Sequence, residues 1–271
     1  MMRVLMLGDI YGKPGRRAAC ELIPELRRRW SLDWVIANGE NATGGAGLSP
    51  RHRNGLRAAG IDLLTSGNHI FARPDWPELL KSEDGNVLRP HNLGGDDRPG
   101  RGWALLGCGT PLAFGVINLA GRVFMEPGDC PFRTADRLLE KFPTGVPVLV
   151  DIHAEATSEK IALSWHLNGR VAAVVGSHTH VQTADERILS GGTAVITDLG
   201  MTGPRDGVLG VDRELVINRF YRGFSDKFHP AIGEVVLEGV VVEIGPDAKA
   251  VSIRRVREFG PVAVAADEGE N

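Results

Sequence analysis

The sequence has few cysteines, almost no net charge and no long apolar run, and each shortage removes a class of protein. Its three cysteines, Cys20, Cys108 and Cys130, are odd in number, far apart and without Cys-x-x-Cys spacing. That pattern argues against a disulfide framework or a zinc ribbon. Lys plus Arg total 31 against 34 Asp plus Glu, a formal charge of −3. Bulk nucleic-acid binding, which usually shows as a strongly basic domain, is not indicated. No stretch approaches the ~20 apolar residues of a membrane span, so no membrane partner is expected. The apolar start, Met1 to Leu7, reaches Gly8-Asp9 at once and lacks the cleavage site of a signal peptide. A reducing cytoplasm is the expected location.

What is present can build a sizeable core: 42% of the 271 residues are hydrophobic. Arg3–Leu7, Trp34–Ala37, Ile61–Thr65, Ala113–Leu119, Val146–Ile152, Val171–Val175 and Thr193–Thr197 read as short buried strands. Between them, Lys13–Trp30, Ser49–Ala59, Pro131–Phe142 and Thr157–Leu167 read as helices, with Arg27, Arg28 and Arg29 on a solvated face of the first. Residues 82–102 are rich in Gly, Pro, Asn and Asp and predict loops with short strands. Gly233–Ile244 and Ala250–Val256 predict a hairpin turning at Gly245-Pro246-Asp247. The alternation implies an α/β fold with a mixed sheet. With no evident linker or repeat, a single domain over residues 1–260 is expected, followed by a small, acidic tail at 261–271 that is expected to be disordered.

Five predicted strands end in loops carrying polar side chains of metal-ligand type: Gly8-Asp9, Gly39-Glu40-Asn41, Gly67-Asn68-His69, Asp151-Ile152-His153 and Gly176-Ser177-His178-Thr179-His180. Open α/β sheets collect ligands at such ends. Each loop alone has a plain reading: Asp9 as a helix cap, Glu40-Asn41 and Asn68 as turn residues, His153 as a core histidine. Five together make a pattern. In an extended segment His178 and His180 share one face and can converge on one spot. Two neighbouring cations repel, so a bridging anion is needed, and Glu40 can serve. Imidazoles and amide oxygens then fill the coordination without excess negative charge, a donor set suited to manganese, iron or zinc rather than calcium or magnesium. Such a pair activates a bridging water and clamps a phosphoryl group. His69, beside a ligand, stands where a general acid could protonate the leaving oxygen. His52, His91, His166 and His229 read as surface or structural residues, and Arg205 and Asp206 as ordinary loop charges.

With these residues in place, the chain resembles the calcineurin-like metallophosphoesterases, and most closely their YmdB subgroup. The resemblance rests on GDIYGKPGR at 8–16, GENATGGAGLS at 39–49, SGNHIF at 66–71, DIHAEATSEK at 151–160, VVGSHTHVQTAD at 174–185 and TDLGMTGPRDGVLG at 197–210. It implies a two-sheet β-sandwich flanked by helices, four layers α/β/β/α. It also implies two divalent or mixed-valence metal ions, one held by Asp9, Glu40, Asn41 and His180, the other by Glu40, Asn68, His153 and His178. Activity on cyclic nucleotides, notably 2′,3′-cyclic ones, is implied in the same way, as is self-association into a homo-oligomer. Two departures from the wider superfamily agree with the subgroup: Tyr11 replaces the histidine of Asp-x-His, and Gly39-Glu40 replaces Gly-Asp. Ile70 stands where a carboxylate often orients the acid, so His69 needs another partner.

The expected reaction is attack on a phosphodiester by a hydroxide bridging the metals, with His69 as general acid. Two alternatives stay open at this point: a metal-stabilised signalling or scaffold protein presenting Gly44–Gly47 to a partner, and a phosphomonoesterase or protein phosphatase.

Overall fold

The computed structural model describes residues 1–81, 86–224 and 226–264. The elements are β1 (Met2–Ile10), α1 (Gly12–Trp30), β2 (Trp34–Asn38), α2 (Pro50–Ala58), β3 (Leu63–Thr65), α3 (Trp76–Leu80), β4 (Trp103–Leu106), β5 (Phe114–Ala120), α4 (Pro131–Leu139), β6 (Val148–His153), α5 (Thr157–His166), β7 (Ala173–Ser177), β8 (Arg187–Ile188), β9 (Ala194–Ile196), β10 (Met201–Pro204), α6 (Arg213–Arg222), β11 (Val235–Ile244) and β12 (Ala250–Phe259).

The strands form two six-stranded sheets, ordered β12-β11-β10-β1-β2-β3 and β4-β5-β6-β7-β9-β8. β1, β2, β3 and β10 run parallel in the first sheet, and β5, β6, β7 and β9 in the second. Antiparallel strands flank both parallel groups. The apolar runs of the sequence reflect strands covered on both faces, whose alternate residues enter different cores. On β1, Val4 and Met6 pack between the sheets with Phe114, Val116, Leu149 and Val175. Leu5 and Leu7 face the other way, against Ile23 and Leu26 of α1 and Leu56 of α2. On the far side, Ile117, Val150 and Val174 pack against Leu138 of α4 and Leu163 of α5. The result is the expected four layers α/β/β/α.

The hairpin forms as read, with β11 and β12 paired along their length and Gly245 N donating to Lys249 O at 2.8 Å. Of the expected tail, Ala263 is described: it exchanges both backbone hydrogen bonds with Gly233, at 2.7 and 3.0 Å. Residues 265–271 lie outside the described residues. Five elements were not expected from the sequence: α3, β4, β8, β10 and α6. β10, in the segment with Gly203 and Pro204, pairs in parallel with β1, and α6 buries Val216 but carries Ile217, Phe220 and Tyr221 outward. Among the described residues no helix is long and apolar enough to cross a membrane.

Candidate metal centre

Parallel strands deliver their carboxyl ends to one edge, and here two sheets do so side by side. Asp9 on β1 sits in register with Asn38 at the end of β2, and Asn38 with Thr65 at the end of β3. In the second sheet His153 on β6 aligns with Ser177 on β7. Polar bonds stitch the two edges together: Thr65 Oγ1 donates to Asp151 Oδ2 at 2.5 Å, and Asn38 Nδ2 to Ser177 Oγ at 3.3 Å.

The residues singled out in the sequence converge on this edge. Glu40 Oε1 lies 3.0 Å from His153 Nε2, and His153 Nε2 lies 3.1 Å from His178 Nδ1. Glu40, His153 and His178 each place a donor atom within 4.8 Å of the others. On the other side of Glu40, Asn41 Nδ2 stands 3.4 Å from Glu40 Oε1, 3.4 Å from Asp9 Oδ1 and 3.2 Å from His180 Nε2. His180 Nε2 is 3.7 Å from Asp9 Oδ1. Glu40 therefore stands between an Asp9–Asn41–His180 group and a His153–His178 group. Asp9, Glu40, Asn41 and His153 are buried.

Asn68 opens the 3-10 turn 68–71 after β3, where the amide of its neighbour His69 donates to Glu40 Oε2 at 2.9 Å. Its own Oδ1 is buried without a hydrogen-bond partner among the described residues. An orphaned buried acceptor is costly unless something supplies the missing interaction, and a cation is one such group. Gly67 is required here by space alone. A Cβ at that position would lie 2.1 Å from His153 Cδ2 and 2.5 Å from Glu40 Oε2.

The second nitrogen of each cluster imidazole is engaged elsewhere, which fixes the nitrogen that faces inward. His153 Nδ1 lies 3.1 Å from Ser177 Oγ and 3.3 Å from Asn38 Nδ2, and Ser177 Oγ donates to Asp151 Oδ1 at 2.8 Å. His178 Nε2 lies 3.2 Å from Glu155 Oε2, and His180 Nδ1 lies 3.0 Å from Leu209 O. Outer partners that orient imidazoles in this way are characteristic of metal ligation. Asn38, Asp151, Glu155 and Ser177 were missed as site residues in the sequence, although Asp151, Glu155 and Ser177 fall inside the motifs quoted above.

One expectation is corrected. His178 and His180 do not share a face of an extended segment. β7 ends at Ser177, and the two histidines have φ of 103° and 62°. The backbone turn sends their rings apart, His178 toward His153 and His180 toward Asp9 and Asn41. Asp9 does not cap the helix after it, whose N-cap is Tyr11; instead Asp9 Oδ2 accepts from His178 N at 3.1 Å. Tyr11 packs its ring edge-on to His180 with centroids 5.9 Å apart, and burial pushes its phenol up to about 12.

The ion-pair partners of Asp9 and Glu40 are imidazoles. Burial pushes the Glu40 carboxyl up, but the charge and hydrogen bond of His153 outweigh it and hold it below the ordinary range. Burial likewise works against Asp9, and His180 pulls it well down. His153 rises to about 9: burial opposes its charge, but Glu40 and Asp9 prevail. His178 is pushed down by burial and the nearby His153. An imidazole, unlike a guanidinium, can surrender its proton to a cation. Two buried carboxylates facing exchangeable protons, with an orphaned amide oxygen, form a donor set that fits divalent metal.

His69 stands at the rim with its side chain 45% exposed. Its Nδ1 lies 2.8 Å from Asn41 Oδ1, the partner that replaces the carboxylate absent at position 70. The remaining histidines lie elsewhere: His52 against Thr43, His91 against Asp96, His166 against Asp136 and His229 against the Pro230 carbonyl. Arg205 and Asp206 both bond to Glu234.

The sequence matches the YmdB-like protein family over residues 5–256. It is 45% identical over 258 residues to the 2′,3′-cyclic-nucleotide 2′-phosphodiesterase of Bacillus subtilis (strain 168), covering 94% of this chain and 96% of that one. A crystal structure of a hypothetical protein from Thermus thermophilus is similar with a TM-score of 0.89 at 41% identity, covering 96% of this chain and 100% of the other. A Mycoplasma pneumoniae protein described as a novel phosphatase is similar with a TM-score of 0.88 at 32% identity, covering 96% and 94%.

Proposed function

The chain belongs to the YmdB-like family, and from that footing we propose that it is a metal-dependent phosphodiesterase whose substrates are 2′,3′-cyclic nucleotides. The observation that carries the reading is the buried Glu40 carboxylate, which meets His153 and His178 on one side and accepts from the Asn41 amide, beside Asp9 and His180, on the other. Asp9, Glu40, Asn41 and His180 would hold one metal ion, and Glu40, Asn68, His153 and His178 a second. Iron or manganese suits this donor set best, with zinc also compatible. When bound, such a pair supplies an activated water and neutralises charge on the phosphoryl oxygens.

The protein's own part is placement and proton delivery. Ser177 and Asn38 at His153, Glu155 at His178 and Leu209 at His180 fix the direction of each ring. His69, tethered through Nδ1 to Asn41, is left with Nε2 for the substrate. As the bond between phosphorus and the leaving ribose oxygen breaks, His69 gives that oxygen a proton while the hydroxyl of water joins phosphorus, and the water's remaining proton passes through solvent to restore His69. A 2′,3′-cyclic phosphate suits this modest apparatus, because ring strain lowers the barrier. A reducing cytoplasm fits the three free thiols.

Purified protein, analysed for metal and offered cyclic and linear phosphodiesters and phosphomonoesters with added manganese, tests the reading. Hydrolysis concentrated on 2′,3′-cyclic nucleotides is expected. A preference for monoesters would favour the activity named for the Mycoplasma relative. Nucleotide binding without turnover would favour the scaffold reading.

A further inference from the structure

Behind the two-histidine loop lies an ion pair that the catalytic reading does not use. Lys160 on α5 points Nζ at Asp198 Oδ2, 2.9 Å away, and the two side chains are 3% and 2% exposed. The lysine stem runs past Gly176, where a Cβ would meet its Cδ at 2.8 Å. Buried ion pairs are often no more stabilising than apolar residues of the same volume, so stability alone gives this pair no role.

Its other contacts do. Asp198 Oδ2 also accepts from Thr179 N at 3.1 Å, the amide between His178 and His180. Asp198 Oδ1 accepts from Gly200 N at 2.9 Å, and Gly200 O accepts from Asp9 N at 3.2 Å. Thr183 fixes the carboxylate's own backbone: its amide donates to Asp198 O at 3.1 Å, and Asp198 N donates to its Oγ1 at 2.9 Å. One buried anion therefore braces the loop carrying two candidate ligands and the loop seating a third. The braced segment needs it, because His178 and His180 both hold positive φ, a conformation that side chains with a Cβ keep only when the surroundings enforce it.

We propose that the Lys160–Asp198 pair is a positioning device that holds the His178–Thr179–His180 turn, and through Gly200 the Asp9 backbone, in metal-binding geometry. This rests on reading the centre as a metal site. Asp198 accepts the two amides, and Lys160 supplies the countercharge that lets a carboxylate sit in the interior.

Two variants test it: Asp198→Asn, which keeps the shape and one acceptor oxygen, and the double variant Lys160→Met/Asp198→Leu, an apolar pair of similar bulk. Chelator-stripped proteins are reloaded with cobalt, and the measurements are the cobalt dissociation constant, the visible absorption bands and the circular dichroism of the stripped forms. Both variants are expected to bind cobalt roughly 10–100-fold more weakly, with altered bands and the dichroism of the wild type. Should Asp198→Asn fail to fold, the double variant decides. Wild-type affinity and bands in a folded variant would overturn the positioning role. A wild-type protein that takes up no cobalt would instead overturn the metal reading beneath it.

Discussion

His69 and Asn41 meet through Nδ1 and Oδ1 at 2.8 Å, so the imidazole at the rim takes its direction from a residue of the cluster. In the proposed reaction this tether aims a proton donor without making it a ligand. His69→Ala should therefore lower phosphodiester turnover by roughly 10²–10⁴-fold, the contribution of a positioned acid, with metal content unchanged. Asn41→Ala should lose both metal and turnover. Elemental analysis beside kcat separates the two, and loss of metal in His69→Ala would make His69 a ligand instead.

Gly67 leaves no room in the centre for a side chain. The added methyl of Gly67→Ala would enter the space between His153 and Glu40, at 2.1 Å from one ring carbon and 2.5 Å from a carboxylate oxygen. Neither neighbour can yield without breaking the 3.0 Å contact between them. The expected outcome is at least about tenfold weaker metal binding, with a stability cost of about 1–3 kcal/mol from overpacking. Metal titration and thermal unfolding of the stripped protein check both parts.

Glu155 faces His178 Nε2 at 3.2 Å from a half-exposed position. Removing an outer partner of a ligating imidazole typically weakens metal binding or activity by about 10–100-fold. Glu155→Ala should fall in that range, and Glu155→Gln, which keeps an acceptor oxygen, should fall short of it. Equal affinities for all three proteins by calorimetry would remove Glu155 from the centre.

The strands that build the centre could be read in the sequence because parallel strands covered on both faces leave continuous apolar runs, as in Val148–Val150 and Ala173–Val175. The ligand loops stood out because each run stops abruptly at a polar cluster. β10 was hidden: Gly203 and Pro204 are poor strand residues, and it forms because β1 and β11 flank it. α6 was hidden for the opposite reason, since Ile217, Phe220 and Tyr221 are exposed and leave no amphipathic contrast. The supporting shell was not legible either. Asp151, Ser177, Glu155 and Asp198 act across distances between strands and loops that only folding sets. The positive φ at His178 and His180 likewise comes from tertiary bonds to Asp9 and Asp198.

His153 links metal binding to protons. In the stripped protein its pKa rises from 6.5 to about 9, because Glu40 and Asp9 overcome the cost of burial. The sign follows: the charged pair stabilises the fold fully below pH 6.5, and that contribution is lost as pH climbs through about 9. At 1.36 kcal/mol per pKa unit it is worth on the order of 3 kcal/mol. His180, also held up by Asp9, adds in the same direction. Asp151, raised by burial to about 6, titrates mostly below this window. A metal ion needs neutral imidazole, so loading the centre below pH 9 must expel the His153 proton. Metal affinity should then rise by up to about tenfold per pH unit between pH 7 and 9, while the stripped protein loses stability over the same interval. The gap in melting temperature between loaded and stripped protein should widen with pH, and the binding heat should depend on the buffer's ionisation enthalpy. A gap that stays constant, with heats indifferent to the buffer, would mean that no proton stands where the metal goes.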